Sequence, residues 1–447
     1  MALPGEAVER LTRRTIRVGV TGLARAGKTA FLTSVAANLV ALGAGRAVLP
    51  AVAARLRGRL PSVSLAPAGA SGVPRFDYGA HVAALTREPP AWPARTDAAS
   101  LLALDLVIPR VVMGASLPPA RVRLELLDYP GEWLLDLPLL RMDFGKWSEG
   151  VLRRLEGREE AGEFLAFLAG VPAGAGADES LAAAGHRLYR AALGRLREAG
   201  AALLQPGRFL MPAPGPEPAW MGFFPYRGSG GMGGLLRLRY EAYVEAVRRE
   251  LSEPSFGRLD RVVVLVDLLS ALAAGEGAFR DTREALAAAA GALRWERGWW
   301  ETVVALGRLQ MPPPVVTRTV FAATKADHVG ERQRANLAAL LRHVVEPVGP
   351  VRASYFAMAA VRCTGDEVIE IGEHAVSGVV GRRLGEERAV RFYPGEVPSD
   401  VPDGRFWAHR FLTMPAFEPL RPVEGGRGGV RAIGLDAVLL ALLDDVL

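Results

Sequence analysis

Gly22-Leu23-Ala24-Arg25-Ala26-Gly27-Lys28-Thr29 fits G-x-x-x-x-G-K-[ST], the phosphate-binding loop. Ahead of it, Thr15-Ile16-Arg17-Val18-Gly19-Val20-Thr21 is short and β-branched and reads as a buried strand. Behind it, residues 30–40 space their apolar side chains as a helix does. Strand, glycine loop, helix is the context this motif requires. The glycines let backbone N–H groups turn inward around phosphate oxygens, and the helix N-terminus adds its partial positive charge. On this reading Gly22, Ala24, Arg25, Ala26, Gly27 and Ala30 line a nucleotide. Lys28 reaches its β- and γ-phosphates, and the Thr29 hydroxyl ligates Mg²⁺. The alternative is a glycine-rich turn with no ligand.

Lysine usage sharpens the reading. Of the 54 basic residues only Lys28, Lys146 and Lys325 are lysine. A chain that uses arginine wherever it will serve keeps lysine where a compact ammonium is needed, and the two are not interchangeable at a tight phosphate site. Lys325 sits in Thr324-Lys325-Ala326-Asp327, which has the form of the [NT]KxD guanine-reading motif. Lys146 has no motif around it and reads as an exposed helical residue.

A chain of 447 residues buries one large core or two smaller ones. The single Cys363 excludes an internal disulfide, which suits a reducing compartment, and reads as a small buried hydrophobe rather than a nucleophile. The N-terminus lacks the basic flank and apolar run of a signal peptide, and no apolar run looks like a membrane span, so a cytoplasmic protein is expected. The net charge of +6 is spread among acids, as in Arg153-Arg154-Leu155-Glu156-Gly157-Arg158-Glu159-Glu160. No basic run and no basic–aromatic alternation points to nucleic acid, and peripheral contact with the inner membrane is the lesser reading of that charge.

Residues 43–95 read as a short helix followed by a long, loosely structured excursion rich in Pro, Gly and Ser. It ends just before the strand candidate 101–108. Thr96 stands where a switch threonine closes on Mg²⁺ and the γ-phosphate; an N-cap or turn threonine fits the same place. The alternating strand 122–128 ends in Asp128, and Asp128-x-x-Gly131 matches the DxxG motif. Its aspartate holds Mg²⁺ through water, and the glycine amide senses the γ-phosphate. Glu132 falls where Ras-like enzymes carry the glutamine that orients the attacking water, although a carboxylate there is repelled by the γ-phosphate.

Stretches 146–170, 178–204 and 235–252 are helical in spacing, which makes 134–260 a mostly α-helical insertion between residues 1–133 and 261–447 of one α/β domain. Residues 261–267 are a continuous apolar run, typical of a parallel strand buried on both faces, with Asp267 near the nucleotide edge. Helices are expected at 280–310, where Trp295, Trp299 and Trp300 read as core. The strand 316–323 delivers Thr324, Lys325 and Asp327 at its tip. Asp327 would accept from guanine N1 and the exocyclic amine, which adenine cannot satisfy. The last core strand is expected at 353–360, after which Ala360-Val361-Arg362 takes the place of a short guanine-contacting [SC]A loop. The usual serine is missing, which leaves only backbone readout. Strand additions are expected over 364–400 and a closing helix over 434–446. The six histidines show no metal spacing, and His328 reads as a local hydrogen-bonding residue.

With these motifs in hand, the chain resembles the bacterial YcjX-like P-loop GTPase family. The resemblance rests on the loop, Asp128-Tyr129-Pro130-Gly131-Glu132-Trp133-Leu134, Thr324-Lys325-Ala326-Asp327-His328-Val329, Val361-Arg362-Cys363-Thr364, Tyr393-Pro394-Gly395-Glu396-Val397-Pro398 and Phe417-Glu418-Pro419-Leu420-Arg421-Pro422. It implies a P-loop α/β GTPase core with a mostly parallel sheet, an inserted helical domain and nucleotide-driven switching with GTP, GDP and Mg²⁺. It also implies a tie to envelope or general stress, with an inner-membrane protein as partner. The loop is similar to that of guanylate-binding proteins, which place an arginine at the position of Arg25; the resemblance makes Arg25 a candidate cis arginine finger, against an arginine facing solvent or an acid. Two rival classes stand beside a GTPase: a nucleotide-gated binding module with negligible hydrolysis, and an ATPase or nucleoside kinase.

Overall fold

The computed structural model describes all residues except 1–12, 24, 68–72, 95–98, 113–114, 212–216, 253–258, 295–316, 350–351 and 410–411. The chain divides into two units, one of residues 1–130, 258–276 and 294–447, the other of 131–257 and 277–293.

The first unit is built on a seven-stranded sheet of order β2-β3-β4-β1-β5-β6-β7. Its strands are β1 (Arg13–Gly22), β2 (Ser62–Leu65), β3 (Ser100–Val112), β4 (Ala115–Asp128), β5 (Arg261–Val266), β6 (Arg318–Ala323) and β7 (Ala353–Ala357). The β4-β1-β5-β6-β7 block is parallel throughout, and β3 and β2 extend it in antiparallel pairing. Residues of β5 are buried along its whole length, as a strand covered by helices on both faces requires. Helix α1 (Lys28–Gly43) lies on the sheet with apolar side chains nearly all round it, and Phe31, Leu32, Val35 and Leu39 meet Ile16, Val18 and Val20 of β1 in the main core. Helix α2 (Pro50–Leu56) and the closing helix (Leu435–Leu443) add Val52, Leu56, Val438 and Leu442 to the same core. Arg261 and Arg318, at the starts of β5 and β6, donate to the carbonyls of Leu442 and Ala441, so the negative end of the closing helix is met by two cations.

The excursion of 43–95 is more ordered than its composition suggests. It contains the edge strand β2 and helix α3 (Tyr78–Thr86), which Asp77 caps by accepting the Ala80 N–H at 3.0 Å. Both were illegible because β2 is four residues long with an exposed face, and α3 buries only His81 and Leu85. The strands expected as additions over 364–400 form a sheet of their own: β8 (Thr364–Ile371), β9 (His374–Arg382) and β10 (Ala389–Phe392), antiparallel in the order β10-β9-β8.

The second unit is helical and closes on aromatic rings. Helices α4 (Phe144–Leu155), α5 (Gly162–Ala169), α6 (Glu179–Glu198) and α7 (Gly231–Ser252) bury Trp147, Phe164, Tyr189, Tyr240 and Tyr243 around Phe209 and Phe223. Residues 277–293, which follow β5 in the chain, belong here, where Asp281 accepts the N–H groups of Ala202 and Leu203. Asp136 is fully buried in this unit; Tyr243 Oη and Gly207 N each donate to it at 2.7 Å, with Arg208 3.5 Å away. Burial pushes its carboxyl up to about 6, against the pull of Arg208 and these hydrogen bonds. Among the described residues, no helix is long and apolar enough to cross a membrane.

Candidate functional site

At the end of β1, Gly22 lies against β5 so closely that a Cβ would stand 2.3 Å from the Leu265 carbonyl oxygen. Only glycine fits there. The chain then doubles back: Arg25 and Gly27 take left-handed φ values of 62° and 82°, and the Ala26 N–H donates to the Leu23 carbonyl at 3.2 Å. Around Gly27 the space is open, so its glycine serves the backbone conformation alone. Lys28 opens α1, a helix of 16 residues with no acid in its first turn and no side-chain cap. The orphan N–H groups of that turn and the helix dipole therefore face outward together with Lys28. Neither Lys28 nor Arg25 makes an ion pair or side-chain hydrogen bond among the described residues. Unpaired cations beside an uncapped helix start, reached through left-handed backbone, fit a bound phosphate chain.

One strand over, Asp128 at the end of β4 stands opposite Val20 in the parallel register, and the Tyr129 N–H donates to the Val20 carbonyl at 2.8 Å. This fastens the chain leaving β4 to β1 just before the loop. Asp128 is buried, and the chemistry of the set, a hydroxyl at Thr29 and a carboxylate at Asp128, suits the oxygen preference of Mg²⁺. Gly131 begins a single helical turn, Gly131–Leu134. Ala24, Thr96, Trp295, Trp299 and Trp300, and the side chain of Glu132, lie outside the described residues.

On the other side of β1, Asp267 and Thr324 follow the adjacent tips of β5 and β6. Thr324 returns its N–H and hydroxyl to the Val266 carbonyl, at 2.8 and 3.3 Å. Lys325 turns left-handed (φ 59°) and brings Nζ to 2.5 Å from Asp267 Oδ2 and 3.0 Å from Ser270 Oγ. Asp267 also caps the next helix through the Ser270 N–H at 3.0 Å. Asp327 is 1% exposed. Its Oδ2 accepts the Cys363 N–H at 2.6 Å and the Cys363 thiol at 3.0 Å, and the Thr364 hydroxyl donates to its carbonyl. No hydrogen bond reaches Oδ1 among the described residues, so one oxygen of a buried carboxylate stands ready for a donor. His328 Nε2 lies 3.4 Å from the Cys363 sulfur. Burial lowers the His328 pKa and, with Asp327 beside it, drives the Cys363 thiol far up.

The loop after β7 is pinned from behind. Val361 packs with Ala37, Leu85 and Val430, while the Arg362 guanidinium reaches the Thr364 carbonyl at 3.2 Å and Asp366 at 3.3 Å. Ala360 is half-buried beside them. Cys363, which the sequence presents as a small buried hydrophobe, is buried, and together with Thr364 it also holds Asp327, a role that the sequence does not show for either. A signal existed in their spacing behind β7, but Cys363 and Asp327 are 36 residues apart and only the fold joins them.

A phosphate loop after the central strand, a carboxylate at the neighbouring strand tip and a TKxD turn two strands away define a P-loop α/β fold of the GTPase type. The chain belongs to the YcjX-like family, DUF463, whose signature matches residues 16–447. It is 33% identical over 468 aligned positions to the Ras-like GTPase YcjX of Escherichia coli (strain K12), with 98% of this chain and 97% of the relative covered. To the Ras-like GTPase YcjX of Shewanella oneidensis it is 30% identical over 444 positions, covering 92% and 90%.

Proposed function

We propose that the chain binds GTP, hydrolyses it to GDP with Mg²⁺ and acts as a nucleotide-dependent switch. The observation that carries this is the edge of the parallel sheet. Four adjacent strands end there in Asp128, the phosphate loop, Asp267 and Thr324-Lys325-Ala326-Asp327, and the C-terminal edge of such a sheet is where ligands bind. Both relatives carry the name Ras-like GTPase, which favours the same reading.

In this reading Lys28 and the amides of Gly27 to Ala30 bind the phosphates, with Gly22, Ala24 and Ala26 shaping the cradle. Thr29 and Asp128, with Thr96, would hold Mg²⁺, which offsets charge on the β- and γ-phosphate oxygens. Arg25 faces charge developing at the β–γ bridge, Gly131 senses the γ-phosphate through its amide, and Glu132 orients water. Asp327 selects guanine, because adenine leaves its buried carboxylate without a donor. Lys325 and Thr324 fix the turn, and the backbone of Ala360, Val361 and Arg362 closes on the base. The helical body of 134–260 is the partner-facing element.

Titration calorimetry with GDP, GTP and ATP in Mg²⁺, on the native chain and Asp327→Asn, tests the assignment. Guanine nucleotides should bind and ATP should not, and the substitution should cost at least tenfold in GDP affinity. Equal binding of ATP, or binding of no nucleotide, would overturn it.

A further inference from the structure

Asp327, His328 and Cys363 bring a carboxylate oxygen, an imidazole nitrogen and a thiol sulfur to within 4.8 Å of one another, all buried. We propose that this trio is a site for a thiophilic divalent cation such as zinc, which competes with guanine for Asp327. The competition rests on the guanine reading of Asp327; the metal site does not.

The spacing fits. A tetrahedral zinc with bonds of about 2.3 Å to sulfur and about 2.0 Å to nitrogen or oxygen holds such ligands about 3.5 Å apart. Cys363 Sγ stands 3.4 Å from His328 Nε2 and 3.0 Å from Asp327 Oδ2, and the latter lengthens once the thiol proton between them is gone. The donor set selects the ion. Thiolate and imidazole suit zinc and its soft neighbours and do not suit Mg²⁺, which demands oxygen. Charge balances as well: one thiolate and one carboxylate neutralise a divalent cation, which lowers the cost of burying it. The nearby Lys325 is already matched by Asp267. His328 is 8% exposed, and the one hydrogen-bond contact of its ring among the described residues runs through Nε2 to the Cys363 sulfur, so Nε2 is the nitrogen that faces the trio. On binding, Cys363 releases its proton to solvent, Sγ and Nε2 and Oδ2 each donate a lone pair, and water takes the fourth position. Asp327 then keeps only Oδ1 for the base, and guanine, which donates from both N1 and its exocyclic amine, loses one of its two acceptors.

The test is unusually clean because Cys363 is the single cysteine of the chain. Cobalt(II) titrated into the nucleotide-free, full-length protein should give a thiolate-to-cobalt charge-transfer band in the near ultraviolet, saturating at one equivalent and bleached by zinc. Cobalt bound at the phosphates has only oxygen ligands and gives no such band. Cys363→Ser should abolish it, and His328→Gln should weaken cobalt binding at least tenfold with the fold intact by circular dichroism. Saturating GDP should raise the apparent Kd for cobalt at least tenfold. Absence of the band in the native chain would overturn the site, and a band indifferent to GDP that does bind would overturn the competition. GDP binding in metal-free buffer is measured separately, so failure of the guanine reading shows as lost GDP affinity while the band remains.

Discussion

Lys325 and Asp267 stand at the tips of adjacent parallel strands, their charged groups 2.5 Å apart, and Asp267 at the same time caps the helix beginning at Leu268. One carboxylate thus both seats the lysine of the Thr324-Lys325-Ala326-Asp327 turn and starts the next helix. The two duties separate by substitution. Asp267→Asn keeps an oxygen for the Ser270 N–H but loses the charge facing Lys325. GDP affinity should fall several-fold with the melting temperature nearly unchanged. Asp267→Ala should lose the cap too, at about 1 kcal/mol. Calorimetry with GDP and thermal melts on both variants check this, and an Asn variant with native affinity would remove Asp267 from base recognition.

Lys28 makes no ion pair or side-chain hydrogen bond among the described residues, so nothing in the fold depends on its charge. Lys28→Arg, the exchange this chain's composition otherwise favours, should leave stability within about 0.5 kcal/mol. The affinity for GTP should nevertheless fall at least tenfold, because a planar guanidinium does not fill the place of a compact ammonium. Chemical melts and nucleotide titration on the same preparation decide it.

Arg25 is exposed and left-handed at φ 62°, with no partner to hold it back among the described residues. If it faces charge developing in the transition state, Arg25→Ala should slow single-turnover GTP hydrolysis on the order of 10³-fold while GDP affinity stays within a factor of about two. Unchanged turnover would leave Arg25 a surface residue. Arg25→Gly separates charge from strain: it should be as slow as the alanine variant and slightly more stable, since glycine adopts this φ without cost.

The phosphate loop, Asp128 and the TKxD turn were legible because each is a local pattern attached to a strand whose burial dictates its apolar run, as in β5. What escaped was decided by distant or marginal contacts. Strand β2 exists because β3 offers it an edge, with Ser62 to Leu65 pairing against Val107 to Leu104. The hold of Cys363 and Thr364 on Asp327 joins β8 to the β6 turn across 36 residues. Asp281 lies in the stretch 280–310 that reads as helical after β5, and nothing local to it reveals that it receives N–H groups from residues 202 and 203.

Asp136 gives the helical unit a pH signature of predictable sign. Its carboxyl ordinarily titrates near 3.8 and is raised to about 6 by burial. Between those values the folded state holds more protons than the unfolded one, so this group makes the protein more stable as pH falls from 7 toward 4. Raising the carboxyl from 3.8 to about 6 corresponds to at most about 3 kcal/mol across that window. Asp136→Asn removes the titration. It also places an amide where Tyr243 and Gly207 both donate, so it should destabilise at every pH. The diagnostic is therefore the difference between the two proteins. In denaturant melts at pH 7 and pH 5, the native chain should gain stability relative to the variant at the lower pH. A difference that stays constant would mean that Asp136 keeps its charge in the folded protein, paired with Arg208 at 3.5 Å.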